Sequence, residues 1–119
     1  MKITIPIRTV SEANQREHWA KRHKRNKRQQ LETTWHLSRA ARWFVFPCRV
    51  TLTRIAPRKL DTDNLAGSFK HVQDAVAKWL GVDDGDGSVE WRYEQRRGEP
   101  NEYAVEIALS LARNFGATE

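Results

Sequence analysis

Ile3, Ile5 and Ile7 alternate with polar residues between Lys2 and Arg8. A period of two marks a strand with one buried face, because successive side chains point to opposite sides of the pleat. Pro6 has no N–H to give to a ladder, which predicts an edge strand or an interrupted pairing. From Ser11 to Trp43 there is no Gly or Pro, and Ser11 is a suitable N-cap, so a long helix is expected over that span. Its halves differ. Leu31, Trp35 and the Ala40–Trp43 region can face a core, whereas Arg16–Arg28 offers only Trp19 and Ala20 for burial. The first half is therefore expected to be a solvated arm or a helix ordered by a ligand.

Cys48 to Ile55 alternates again, with Val50 and Leu52 on one face, and predicts a second strand. Leu65, Phe69, Val72, Val76 and Leu80 then recur at helical spacing, an apolar stripe for a second helix that Gly81 ends. The run GVDDGDGS is a loop by composition. Val89, Trp91 and Tyr93 alternate with charged residues, GEPN (98–101) turns the chain, and Tyr103, Val105, Ile107, Leu109 and Leu111 alternate once more. These last two segments predict a hairpin. The order β-α-β-α-β-β implies one two-layer α/β domain over residues 1–119, with a mixed sheet and helices mainly on one face.

At 119 residues the chain can build one ordinary core. Its single cysteine, Cys48, excludes an internal disulfide and any cysteine-based zinc cluster, which fits a reducing cytoplasm. No run approaches a membrane span, so a cytoplasmic protein with no membrane partner is expected. The four histidines, His18, His23, His36 and His71, show no paired ligand spacing that would imply zinc.

The net charge of +6 is unevenly spread. Residues 1–30 carry nine Lys/Arg against two acids, 31–59 six against one, and 60–90 reverse to two against seven. Basic surface suits a polyanion, because phosphate contacts by Lys and Arg release counterions. An acidic island does not, unless a cation sits between it and the phosphate.

That island holds LDTDNL (60–65) and Asp83, Asp84 and Asp86. Asp61 and Asp63 are placed to cap the second helix, since a carboxylate there meets orphan N–H groups and the positive end of the dipole. Holding a metal is the alternative role for them, which the pair alone does not favour over capping. A helix of about 17 residues separates its ends by ~25 Å, so these acids and the Asp83–Asp84 pair cannot meet through the helix alone. A calcium loop at DDGDG lacks the spacing and terminal Glu of an EF-hand. Asp63, Gly67, Lys70 and Asp74 fall on one face offset from the apolar stripe. Lys70 is expected there either to pair with Asp74 or to act as a point charge on a phosphate, with Gly67 leaving room.

The stretch RKLDTDNLAGSFKHVQDAVAKWLGVDD (58–84) resembles the RusA family of Holliday-junction resolvases, prophage members included. The likeness rests on a basic approach, D-x-D-N-L opening a helix, a lysine within it and an Asp-Asp pair after it. The first strand with its proline and SEANQREHW are similar too. The resemblance implies that Asp61, Asp63 and Asp84 bind Mg²⁺, that Lys70 is the catalytic lysine, and that a homodimer cuts four-way DNA symmetrically in recombination and repair. Family members carry the lysine one turn after the second Asp, where this chain has Gly67; here Lys70 lies two turns on. Nucleic-acid contacts are expected from Arg16, Lys21, Arg22, Lys24, Arg25, Lys27, Arg28, Arg58 and Lys59.

Three other roles fit parts of the chain. A non-catalytic nucleic-acid binder would use the carboxylates only as caps, and an interaction protein would use its tryptophans as a partner surface. A PD-(D/E)xK nuclease would need Lys where Glu90-Trp91-Arg92 has Arg. Trp19 is the one tryptophan expected to stack on a base or partner, with Trp35, Trp43, Trp79 and Trp91 in the core.

Overall fold

The computed structural model describes residues 1–9, 19–40, 46–83, 85 and 87–111. Seven elements follow in order: β1 (Lys2–Ile5), α1 (Trp19–Ser38), β2 (Cys48–Ala56), α2 (Thr62–Ser68), α3 (Lys70–Leu80), β3 (Val89–Arg97) and β4 (Ala104–Leu111). The strands form one mixed sheet in the order β1-β4-β2-β3. This is the expected α/β architecture, with β1 at an edge and Pro6 just past its end.

Register explains the core. Val50 pairs with Trp91 and Leu109, and Leu52 with Tyr93 and Ile107, while Ile3 faces Ile107 and Ile5 faces Val105. The period of two therefore gathers every strand's apolar set onto one side, where Leu65, Phe69, Val72, Val76 and Leu80 of the crossover and Leu37 of α1 cover it. The opposite side is polar and largely self-neutralised. Glu90 accepts from the Arg49 and Arg92 Nε atoms at 3.2 and 2.9 Å. Glu106 lies 3.8 Å from Lys2 and 3.9 Å from Arg96. Hydrogen bonds, first from Arg92 and then from Arg49, hold Glu90 below the usual carboxylate range.

Three expectations need correction. Strands β3 and β4 do not form a hairpin: β2 lies between them, parallel to β3 and antiparallel to β4. A buried central strand needs a neighbour on each side, and β3, charged on its open face, takes the edge. The 98–103 connection crosses the end of β2, where the Gly98 N–H donates to the Ala56 carbonyl at 2.8 Å. A Cβ at Gly98 would lie 2.7 Å from Glu102 Oε1 and 3.0 Å from Ile55, so the crossing is tight.

The long first helix is described only as α1, and its buried face is Gln29, Thr33 and Leu37. Leu31 and Trp35 are 62% and 55% exposed rather than in the core. The turn-to-turn polar face won because its groups are satisfied: Gln29 Nε2 donates to the Arg8 carbonyl at 3.0 Å, and the Thr33 hydroxyl to the Gln29 carbonyl at 2.7 Å. Trp19 is 72% exposed, whereas Trp79 and Trp91 pack partly buried against the core. The proposed cap Ser11, Trp43 and the tail from Ala112 lie outside the described residues.

The second helix is two. Phe69, at φ −96° and ψ 2°, leaves the helical region between α2 and α3. Its ring is fully buried and stacks on Tyr93 at 5.9 Å. Gly81 ends α3 at φ 81°. Its N–H reaches the Lys78 carbonyl at 3.1 Å and that of Val82 the Ala77 carbonyl at 3.0 Å, a Schellman closure.

Candidate functional site

The parallel pair β2–β3 places the start of α2 at the C-terminal ends of both strands. Asp61 occupies the N-cap position and Asp63 the first turn, and both are exposed. The Asp61 carbonyl accepts the Asn64 and Leu65 N–H groups at 3.0 and 3.1 Å, but its carboxylate makes no cap hydrogen bond. Neither acid forms an ion pair among the described residues. Two carboxylates two residues apart thus stand open to solvent, hard-oxygen donors of the kind that Mg²⁺ takes, commonly one or two carboxylates plus substrate phosphate.

The loop before them is clamped from the sheet. Gln95 accepts the Leu60 N–H and donates to the Leu60 carbonyl, both at 2.9 Å. Arg54, its direct partner across β2–β3, donates from Nη1 to the Arg58 carbonyl at 2.7 Å. Sequence reasoning missed both residues, yet a signal was present. Each extends an apolar period-two run, Val50–Leu52–Arg54 and Val89–Trp91–Tyr93–Gln95, with a polar group on the core face.

Gln95→Ala is expected to cost about 1–2 kcal/mol, because a half-buried peptide loses both partners. A melting temperature equal to the native one would show that the clamp is ornamental.

The other predicted residues divide by location. Asp83 is exposed beyond α3, at the end of the sheet where β3 begins. Roughly 20 Å of extended strand separates Val89 from Gln95, so one chain does not bring Asp83 beside Asp61. Asp84 and Arg16 lie outside the described residues. Among the described residues no three His, Cys, Asp or Glu side chains gather as a metal-ligand set. Lys70 opens α3, exposed and without an ion pair to Asp74. The break at Phe69 means that Asp63, Gly67, Lys70 and Asp74 do not lie along one continuous helix. A Cβ at Gly67 would meet nothing within 4 Å, so open surface surrounds it.

Basic residues converge on the same end of the sheet as the acid pair. Arg58 and Lys59 immediately precede it and are exposed. On α1, Lys21, Lys24 and Arg28 share one exposed face at i, i+3 and i+7. Lys27 is exposed on another face, and Arg22 and Arg25 are half-buried. A cleft of about 390 Å³ runs between the exit of β1 and α1, lined by Arg8, Arg25, Arg28 and Glu32 among others. The links Gln29–Arg8 and Arg54–Arg58 tie this cleft to the acid-bearing loop. No helix among the described residues is long and apolar enough to cross a membrane.

Compared with known proteins, the chain matches no family model, no curated protein and no solved structure.

Proposed function

We propose that the chain is a Mg²⁺-dependent, structure-selective endonuclease that cuts branched DNA as a homodimer in the cytoplasm, in recombination and repair. The observation that carries this is the convergence of an unpaired, solvent-open carboxylate pair, a clamped loop and a basic helix at one end of the sheet. Asp61 and Asp63 would hold the ion, which when bound lowers the pKa of a coordinated water and neutralises charge on the phosphate. The chain's own groups position the strand: Arg58, Lys59 and the α1 cations hold the backbone. Lys70, exposed one helix further on, offers charge to the developing oxyanion. Asp83 is exposed at the far end of the sheet from Asp61 and Asp63, and in the proposed homodimer a second copy would supply the further carboxylate. Against a purely capping role stands the Asp61 carboxylate, which bonds no helix N–H.

The test is incubation of the protein with a synthetic four-way junction, the matched duplex and single strands, each with Mg²⁺ or EDTA. Paired nicks on the junction alone, and only with Mg²⁺, are the expected result. Equal binding with and without Mg²⁺ and intact substrates throughout would leave a nucleic-acid binder instead.

Lys70 has a separate test. Lys70→Ala is expected to slow cleavage by roughly 10²–10³-fold, the usual scale for one oxyanion-stabilising group. Gly67→Lys in that background places the charge one turn after Asp63 on open surface, and partial recovery is expected. A single variant cutting at the native rate would remove Lys70 from the mechanism.

A further inference from the structure

Arg54 is a cation where the fold calls for an apolar side chain. It lies on the core face of β2 between Gln95 and Val105 and is only 7% exposed. Its Nε points to the Thr9 carbonyl at 3.4 Å and its Nη1 to the Arg58 carbonyl at 2.7 Å. Among the described residues its hydrogen bonds go to these two backbone oxygens, and no carboxylate pairs with it. A second guanidinium adds to the charge. Arg8 is exposed, its Cζ 4.5 Å above the centre of the Tyr103 ring. Burial first, and then the charge of Arg8, hold the Arg54 guanidinium below the usual arginine range, with Tyr103 pulling the other way.

Buried charges in proteins are ordinarily paired. Carbonyl dipoles offset part of the desolvation but not the repulsion between two cations. Glu32 lines the adjoining cleft, but among the described residues no carboxylate pairs with either guanidinium. A guanidinium has five N–H groups in a planar fork, and the two carbonyls occupy two of them, so three remain. The fork matches phosphate oxygens in pairs, as a lysine would not. Arg8 also lines the cleft beside α1, a solvent-open approach to Arg8, and Arg54 adjoins it through the carbonyl of the next residue, Thr9. We propose that Arg8 and Arg54 form a phosphate-binding site at the C-terminal end of the sheet, next to the acid pair and distinct from it. The site stands on these two residues and does not depend on cleavage. Its occupant is a phosphate group, whether free or part of a nucleic-acid backbone.

The experiment uses the full chain. Its melting temperature is followed while inorganic phosphate replaces chloride at constant ionic strength, and the phosphate Kd is measured by calorimetry. Phosphate is expected to raise the native melting temperature by mass action. Arg8→Gln removes an exposed charge without touching the hydrogen bonds of Arg54, and is expected to weaken phosphate by roughly tenfold or more. Arg54→Lys keeps the charge and loses the fork; should it fail to fold, Arg8→Gln carries the test. No phosphate effect on the native protein, or an equal effect in Arg8→Gln, overturns the site. Binding of a four-way junction across a salt series then names the source. A log–log slope smaller by about one in Arg8→Gln marks a backbone phosphate, and an unchanged slope with lost inorganic phosphate binding marks a free phosphate ligand.

Discussion

Asp61→Asn and Asp63→Asn are each expected to lower cleavage of a four-way junction by ~10³-fold or more, about 4 kcal/mol of transition-state stabilisation. Asn keeps the shape and one acceptor oxygen but cannot supply the charge that a hard divalent cation requires. Both side chains are exposed, and that of Asp61 makes no cap hydrogen bond. The fold therefore has little to lose beyond the few tenths of a kcal/mol that a carboxylate gains from the helix dipole. Junction affinity in EDTA should hold or rise, since removing a carboxylate beside phosphates removes repulsion. Single-turnover cleavage with the variant in excess, beside a mobility-shift titration, separates these quantities. Cutting at the native rate would sink the metal-ligand assignment.

Phe69→Ala is the expected extreme for stability. The ring is fully buried, stacks on Tyr93 and belongs to the main apolar cluster, so truncation leaves a large cavity and should cost about 3–5 kcal/mol. Phe69→Leu, which keeps most of the volume, should cost considerably less. Because Phe69 is also the joint between α2 and α3, Ala there should loosen the placement of Lys70. Urea unfolding of both variants checks this, and a loss under about 1 kcal/mol for Ala would show that the joint is held elsewhere.

These two positions mark what the sequence makes legible. Phe69 falls in the apolar stripe of Leu65 to Leu80, and every member of that stripe is buried; spacing alone identifies it, because burying apolar surface is what chiefly drives the chain to fold. The break at Phe69 leaves no such mark, since its neighbours Ser68 and Lys70 read as ordinary helix. Strand adjacency is equally hidden. GEPN between two alternating segments has the composition of a hairpin turn, and nothing local says that β2 will lie between them. On α1, Leu31 and Trp35 suit a core by hydrophobicity, yet Gln29 and Thr33 are buried because their polar groups find carbonyls. The acid pair is visible as a motif. Its clamp is visible only as two polar residues out of phase with apolar strands, a pattern easily taken for strand ends.

Arg54 and Gln95 face each other across the parallel pairing of β2 and β3, and this makes the acid pair a gauge of strand alignment. A slip of one residue would turn Gln95 to the opposite face, and Leu60 would lose both bonds at once. Parallel pairing joins segments 41 residues apart in sequence, as Cys48 with Val89, and such non-local pairings are among the slower ones to form. A nascent or partly folded chain would therefore carry the LDTDNL motif without its clamp, and under the proposed function hydrolytic capacity would arrive only with the finished sheet.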